Sequence, residues 1–163
     1  MKYLQAIYKE EIEFIMSEML ANQYFMVRRF LDAETAFENV LAQDPLNRSA
    51  RKKMIICLVN NGKIKQALDL FYKVISDDIT IITNTNVSDD DCPCPEIISK
   101  FENINEPELS FQSKLEILGM LWLYCDYYKS IQQFEKLKEF NPKEPLYSNI
   151  LKVYKDFVIS KIS

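Results

Sequence analysis

Five matching pairs of residues, each 34 positions apart, constrain this chain more than any other feature. When residues 14–47 are written above residues 48–81, Ala33 falls on Ala67, Phe37 on Phe71, Val40 on Val74, Leu41 on Ile75 and Asp44 on Asp78. A fixed period of this size is the signature of a repeat architecture, in which each copy buries its apolar face only against its neighbours. Within each copy the apolar positions recur at helical spacing, in two bursts joined by a short break. The spacing predicts helices over about 14–28 and 31–43 in the first copy, and over about 48–60 and 64–76 in the second. Asn61-Gly62 is a helix stop, because both residues tolerate the left-handed conformation. Pro45 stands just past a helix end, where a residue unable to continue the helix belongs.

Composition agrees with helix. Glycine occurs only at 62 and 119, far too rarely for the turns of an all-β chain of 163 residues. That length is one domain's worth and suffices for a continuous core. The hydrophobic fraction is 48% and the charged fraction 27%, as expected of a globular chain rather than a disordered one.

The same composition removes several classes of function. Histidine is absent, so there is no Ser-His or Cys-His nucleophile, no imidazole base and none of the commonest metal ligand. Two isolated glycines make no phosphate-cradling loop. No enzyme is expected, and no cofactor or metal. A net charge of −4 argues against a nucleic-acid surface, which needs a basic patch to displace counterions. The cluster Arg48, Arg51, Lys52, Lys53 reads as a solvated helix start. The N-terminus carries acids and no apolar signal region, and the longest apolar run, residues 117–125, is far below a membrane span. A cytoplasmic chain with reduced thiols is therefore expected, and its four cysteines are not read as a disulfide framework.

A third copy of the pattern lies at about 111–144, where Tyr127, Phe134 and Pro142 stand at the offsets of Phe30, Phe37 and Pro45. Ser130 replaces the small Ala33, and Leu118-Gly119 resembles Leu20-Ala21 displaced by one residue. The first copy carries Leu20-Ala21, Tyr24, Phe30, Ala33, Phe37, Leu41, Asp44 and Pro45; in the second, Gly62, Ala67, Phe71 and Asp78 fit. Ser17 stands where an early tryptophan is usual, and Ile55 and Ile79 occupy a small-residue and a proline position. In period and residues the pattern resembles the tetratricopeptide repeat (TPR), a helix–turn–helix unit of 34 residues. The resemblance implies an all-α fold: a right-handed superhelical stack of TPR-like repeats over residues 1–163, as one domain. Residues 2–13 would cap or extend the first helix. Residues 144–161, opening on Pro145 at a first helical position, would form a capping helix.

Residues 82–110 interrupt the register. The β-branched, polar stretch "ITIITNTNV" (79–87) predicts an extended segment, and the prolines of "CPCP" push Cys92 and Cys94 away from helix. A short helix over about 95–103 follows, with Ser110 as N-cap of the next. Asp89, Asp90, Asp91, Cys92 and Cys94 are all potential ligands, but no second cysteine pair completes a zinc site. The stretch reads first as an exposed acidic connection. Cys57 and Cys125 fall on predicted first helices, where cysteine packs as a small hydrophobe.

In the family it resembles, first helices line a concave groove for a peptide or a partner helix. Carried onto this sequence, the groove positions are Glu18, Asn22, Phe25 and Met26, then Lys52, Ile56, Val59 and Asn60, then Leu115, Gly119, Trp122 and Leu123. Some family members clamp a peptide carboxylate with Lys and Asn. Here Asn22 matches, but Glu18 and Lys53 depart from that set, and the charge of Glu18 would repel a carboxylate. The run 115–125 is apolar nearly all round, as in a helix buried on several sides, although Trp122 also suits a partner or self-association surface. The resemblance thus implies a non-catalytic adaptor or scaffold that binds a protein segment. The alternatives are a small chaperone for a secreted or assembling client, and a thiol- or metal-responsive regulator acting through Cys92 and Cys94.

Overall fold

The computed structural model describes residues 1–105 and 107–163. Glu106, in the stretch closing the interrupted interval, lies outside them. Among the described residues there are nine helices and no strand: α1 (Lys2–Met26), α2 (Phe30–Gln43), α3 (Arg48–Asn60), α4 (Ile64–Asp78), α5 (Thr80–Thr83), α6 (Cys94–Glu102), α7 (Phe111–Trp122), α8 (Tyr127–Phe140) and α9 (Pro145–Ile162). No helix among them is long and apolar enough to cross a membrane. The chain divides into two compact units, Met1–Lys63 and Ile64–Ser163, so α3 falls in the first and α4 in the second.

In the first unit α2 packs against α1 and α3, and α1 also touches α3. Ala21 and Ala33 are fully buried and let α1 and α2 approach closely. Phe25 packs edge-on to Phe30 and Phe37, with ring centroids 5.9 and 6.1 Å apart. Glu34 is buried at 3% exposure, which is costly for a carboxylate unless it is paired. It accepts a hydrogen bond from Asn61 Nδ2 at 2.5 Å and forms a close ion pair with Lys63. Asn61 Nδ2 also donates to the Phe30 carbonyl at 3.1 Å. These contacts tie the start of α2 to the end of α3.

In the second unit α7 is surrounded. It packs against α8, α6 and α4, and Tyr147 of α9 reaches it through Gln112 Nε2 at 2.8 Å and through a short bond to Glu116. Leu115, Ile117, Leu118, Met120 and Leu121 are all buried, as the apolar run predicts. Gly119 marks the tightest approach: a Cβ there would lie 2.8 Å from the ring of Phe134. Beside it, buried Ser130 donates to the Gly119 carbonyl at 2.5 Å and shares a 2.7 Å hydrogen bond with the Tyr154 hydroxyl. Phe134 stacks on Phe71 at 5.8 Å and meets Tyr154 edge-on at 6.0 Å.

The backbone repeats with the sequence. The residues that close α1 and α3 lie 34 positions apart and share a conformation: Val27 at φ −88°, ψ 11° and Asn61 at φ −86°, ψ 6°. The next residues, Arg28 and Gly62, are both left-handed, at φ 63° and 76°. Arg28 N–H bonds the Phe25 carbonyl and Arg29 N–H that of Tyr24, as Gly62 N–H bonds Val59 and Lys63 N–H bonds Leu58. The ends of α2 and α8 match too, with Asp44 at φ −131°, ψ 83° and Asn141, 97 positions on, at φ −134°, ψ 76°. Their following residues, Asn47 and Glu144, both cap the next helix with a side-chain oxygen.

Three expectations are corrected. The segment 79–87 is not extended: α4 runs to Asp78, whose Oδ1 accepts bonds from the backbone N–H of Thr80 (2.9 Å) and from its hydroxyl (2.6 Å), and so starts α5. Burial of Ile79, Ile81 and Ile82 overrides their β-branched preference. Cys92 and Cys94 are not exposed in a wet loop; they are buried and joined by a disulfide, and α6 begins at Cys94. The acidic stretch before them is folded on itself: Asp90 accepts from Asn86 N–H at 2.8 Å, while Asn86 Oδ1 accepts from Ser88 and Asp89 N–H at 3.1 Å each. Cys125 lies past the end of α7 and is exposed, whereas Cys57 packs in the core as expected.

Candidate interaction surface

The groove positions inferred from the sequence divide by exposure. In the first unit α1 and α3 run beside each other, joined by two side-chain bonds: Asn47 Nδ2 to Glu18 at 3.2 Å, and Lys53 Nζ to Asn22 Oδ1 at 2.7 Å. Glu18, Asn22, Lys52 and Asn60 are half-buried, and Met26 is 59% exposed. Phe25, Ile56 and Val59 are buried and serve the core. Lys53 Nζ lies 5.6 Å from the Phe25 ring centroid, so the lysine that stands where a clamp asparagine is usual holds Asn22 and covers the core edge. Asn60 donates to its own helix, at the Ile56 carbonyl.

In the second unit Leu115, Gly119 and Leu123 are buried. Trp122 is half-buried, with Lys129 Nζ 4.2 Å from its ring centroid, a geometry that satisfies the ring face locally.

Two surfaces were not anticipated from the sequence. The first is the outer face of α1. Leu4, Tyr8, Ile12, Ile15 and Met19 form a stripe at helical spacing, each more than half exposed, on the side of the helix away from Ala21 and Phe25. Two shallow hollows continue it, of about 350 Å³ over Met16, Met19 and Leu20, and about 330 Å³ over Met26 and Val27. Methionine-rich surface of this kind adapts its shape to a partner. The signal was present in the sequence as a second set of apolar residues, out of phase with Phe14, Ala21 and Phe25.

The second is a groove of about 890 Å³ between α8 and α9. Ile131, Leu151, Val158 and Ile159 line it, with Tyr154 at its base; Glu135, Lys138 and Glu139 rise on the α8 bank and Lys155 on the α9 bank.

Three buried groups are shifted upward. Burial first, and then the charge of Glu34, push the Cys57 thiol up to about 12. Burial raises the phenols of Tyr147 and Tyr154, the former further through its bond to Glu116. Among the described residues, no three or more Cys, Asp or Glu come together as a metal site. Compared with family models, curated proteins and solved structures, the chain matches none.

Proposed function

We propose that this chain is a non-catalytic protein-interaction module of the tetratricopeptide-repeat type, an adaptor or scaffold that binds a peptide or partner helix along the first helices of its repeats. The reading is carried by the side-by-side placement of α1 and α3 through the Glu18–Asn47 and Asn22–Lys53 bonds. The 34-residue recurrence of turn geometry supports it. Carboxamides at Asn22 and Asn60 suit the backbone of an extended segment, Lys52 and Glu18 select its charges, and Met26 offers apolar contact. Partners captured from native cells would be identified and their affinity measured against Asn22→Ala and Lys52→Glu chains. A loss of tenfold or more with the fold intact is expected; unchanged affinity for both variants removes this face.

One observation favours a second reading, a thiol-responsive regulator: the bonded Cys92 and Cys94 sit at the start of α6. A dithiol reductant would open the bond by two electrons, each sulfur taking a proton while the reductant becomes the disulfide. Equal partner affinity before and after reduction would eliminate it.

A further inference from the structure

We propose that the Cys92–Cys94 bond is a thiol-exchange site that takes a dithiol, gated at Cys92 by the turn that begins at Asn86. The inference rests on the thiol-responsive reading above and names the reactant and the gate. The turn is held by a small set of hydrogen bonds. Asp90 N–H bonds the Asn86 carbonyl at 2.8 Å, and Cys92 N–H bonds that of Val87 at 3.0 Å. Asp90 Oδ2 accepts from Asn86 N–H, and Asn86 Oδ1 accepts from the N–H groups of Ser88 and Asp89. Asp91 is left-handed at φ 47°, which an L-residue does not favour, so the turn depends on those bonds. A surface turn of this kind opens locally without the fold around it.

The two sulfurs are held differently. Cys92 ends the turn and is 8% exposed, whereas Cys94 is fully buried and begins α6. Ile97 N–H bonds the Pro93 carbonyl, and Ile97 and Ile98 anchor α6 in the core. Opening the turn therefore frees Cys92 while Cys94 stays with the helix. A thiolate of the reductant attacks Cys92 Sγ, and the electron pair of the sulfur–sulfur bond leaves on Cys94 Sγ, which takes a proton. The Cα atoms of the pair are only 5.3 Å apart, so Cys94 remains beside the mixed disulfide. There it expels a monothiol from Cys92 and re-forms the bond before a second molecule arrives. A dithiol carries its second sulfur with it and competes on equal terms. That sulfur attacks its own partner sulfur, Cys92 departs and is protonated, and the reductant leaves as a disulfide. Two electrons pass to the protein.

The test compares dithiothreitol with 2-mercaptoethanol at equal thiol concentration on the full chain. Quenched samples are alkylated and their thiols counted by mass spectrometry, with Cys57 and Cys125 as the constant background. Dithiothreitol is expected to yield the open form about a hundredfold faster than the monothiol. Asn86→Ala removes the acceptor for Ser88 and Asp89 and is expected to speed opening about tenfold. Asn86→Asp keeps that acceptor and should react like wild type, which separates the gate from general loosening; far-UV circular dichroism checks the fold. Equal opening by the two reagents, an Asn86→Ala chain as slow as wild type, or an Asn86→Asp chain as fast as Asn86→Ala would each overturn the proposal. Exchange as expected, with partner affinity unchanged by reduction, would support the site and remove only the regulatory reading.

Discussion

Helices α1 and α7 each pack on the helix that follows them and have opposite fates. Both are first helices of a hairpin with a close second helix, α2 or α8. Around α7, helices α4, α6, α8 and α9 bury Leu115, Ile117, Leu118, Met120 and Leu121, leaving the end residues Phe111 and Trp122 partly in water. In the first unit α1 packs on α2 and touches α3, and Leu4, Tyr8, Ile12, Ile15 and Met19 are more than half exposed. An apolar face is therefore a core or a docking surface according to what the neighbouring elements supply. Large exposed apolar stripes of this kind mark interaction sites.

The buried hairpin should break most easily. Gly119→Val places methyl groups against the Phe134 ring where a single Cβ is already too close, and is expected to cost about 3 kcal/mol in urea denaturation, the upper end for overpacking. Ser130→Ala removes the bonds to Gly119 and Tyr154, with an expected loss of about 1.5 kcal/mol for a buried polar group left without its partner.

Alkaline titration weakens both units. In the first, Cys57 keeps its proton up to about 12 when folded, whereas an unfolded thiol releases it near 8.5. Its contribution is complete below about 8.5 and declines as pH rises toward 12, by up to about 1.4 kcal/mol per pH unit. In the second, buried Tyr154 acts with the same sign above about 10, the ordinary phenol value, and the Cys125 thiol, raised by burial and then by Asp126, acts with that sign too. The urea midpoint should be flat from pH 7 to about 8.5 and then fall, less steeply in Cys57→Ala.

The smallest effect belongs to the open helix. Ile12→Ser at 55% exposure should leave monomer stability within about 0.5 kcal/mol. A loss comparable to that of Ser130→Ala would mean that α1 is as enclosed as α7, and would erase the contrast between them.

Helix ends were legible in the sequence because their punctuation is chemical. Pro45, Asn61-Gly62, Ser110 and Pro145 stop or start helices through backbone and cap geometry that needs no distant partner. The alanines at 21 and 33, and Gly119 with Ser130, announced close crossings for the same reason: small side chains leave little else to be inferred. What was not legible depended on burial. Thr80–Thr83 has poor helical propensity, and only the enclosure of Ile81 and Ile82 makes it a turn of helix. The Cys92–Cys94 stretch looked wet because its acids are written in a row, yet Asp90 and Asn86 close the loop with their side chains while the cysteines turn inward. Of the groove residues, Phe25, Ile56, Val59 and Leu115 went to the core, since a position on a first helix does not say which side of it water reaches. The two-faced pattern of α1 was readable, but periodicity alone does not distinguish a second core face from a docking face.

The left-handed residue after α1 is an arginine, and its counterpart after α3 is a glycine. Yet the two turns agree in their closing conformation and in their hydrogen bonds. An L-side chain held at φ 63° bears a conformational cost of about 1 kcal/mol that glycine escapes. The shape of the turn is thus set by its bonds to the helix it follows, with the residue fitted to it afterwards. The bonds to the Tyr24 and Phe25 carbonyls hold Arg28 in a conformation it would not adopt alone.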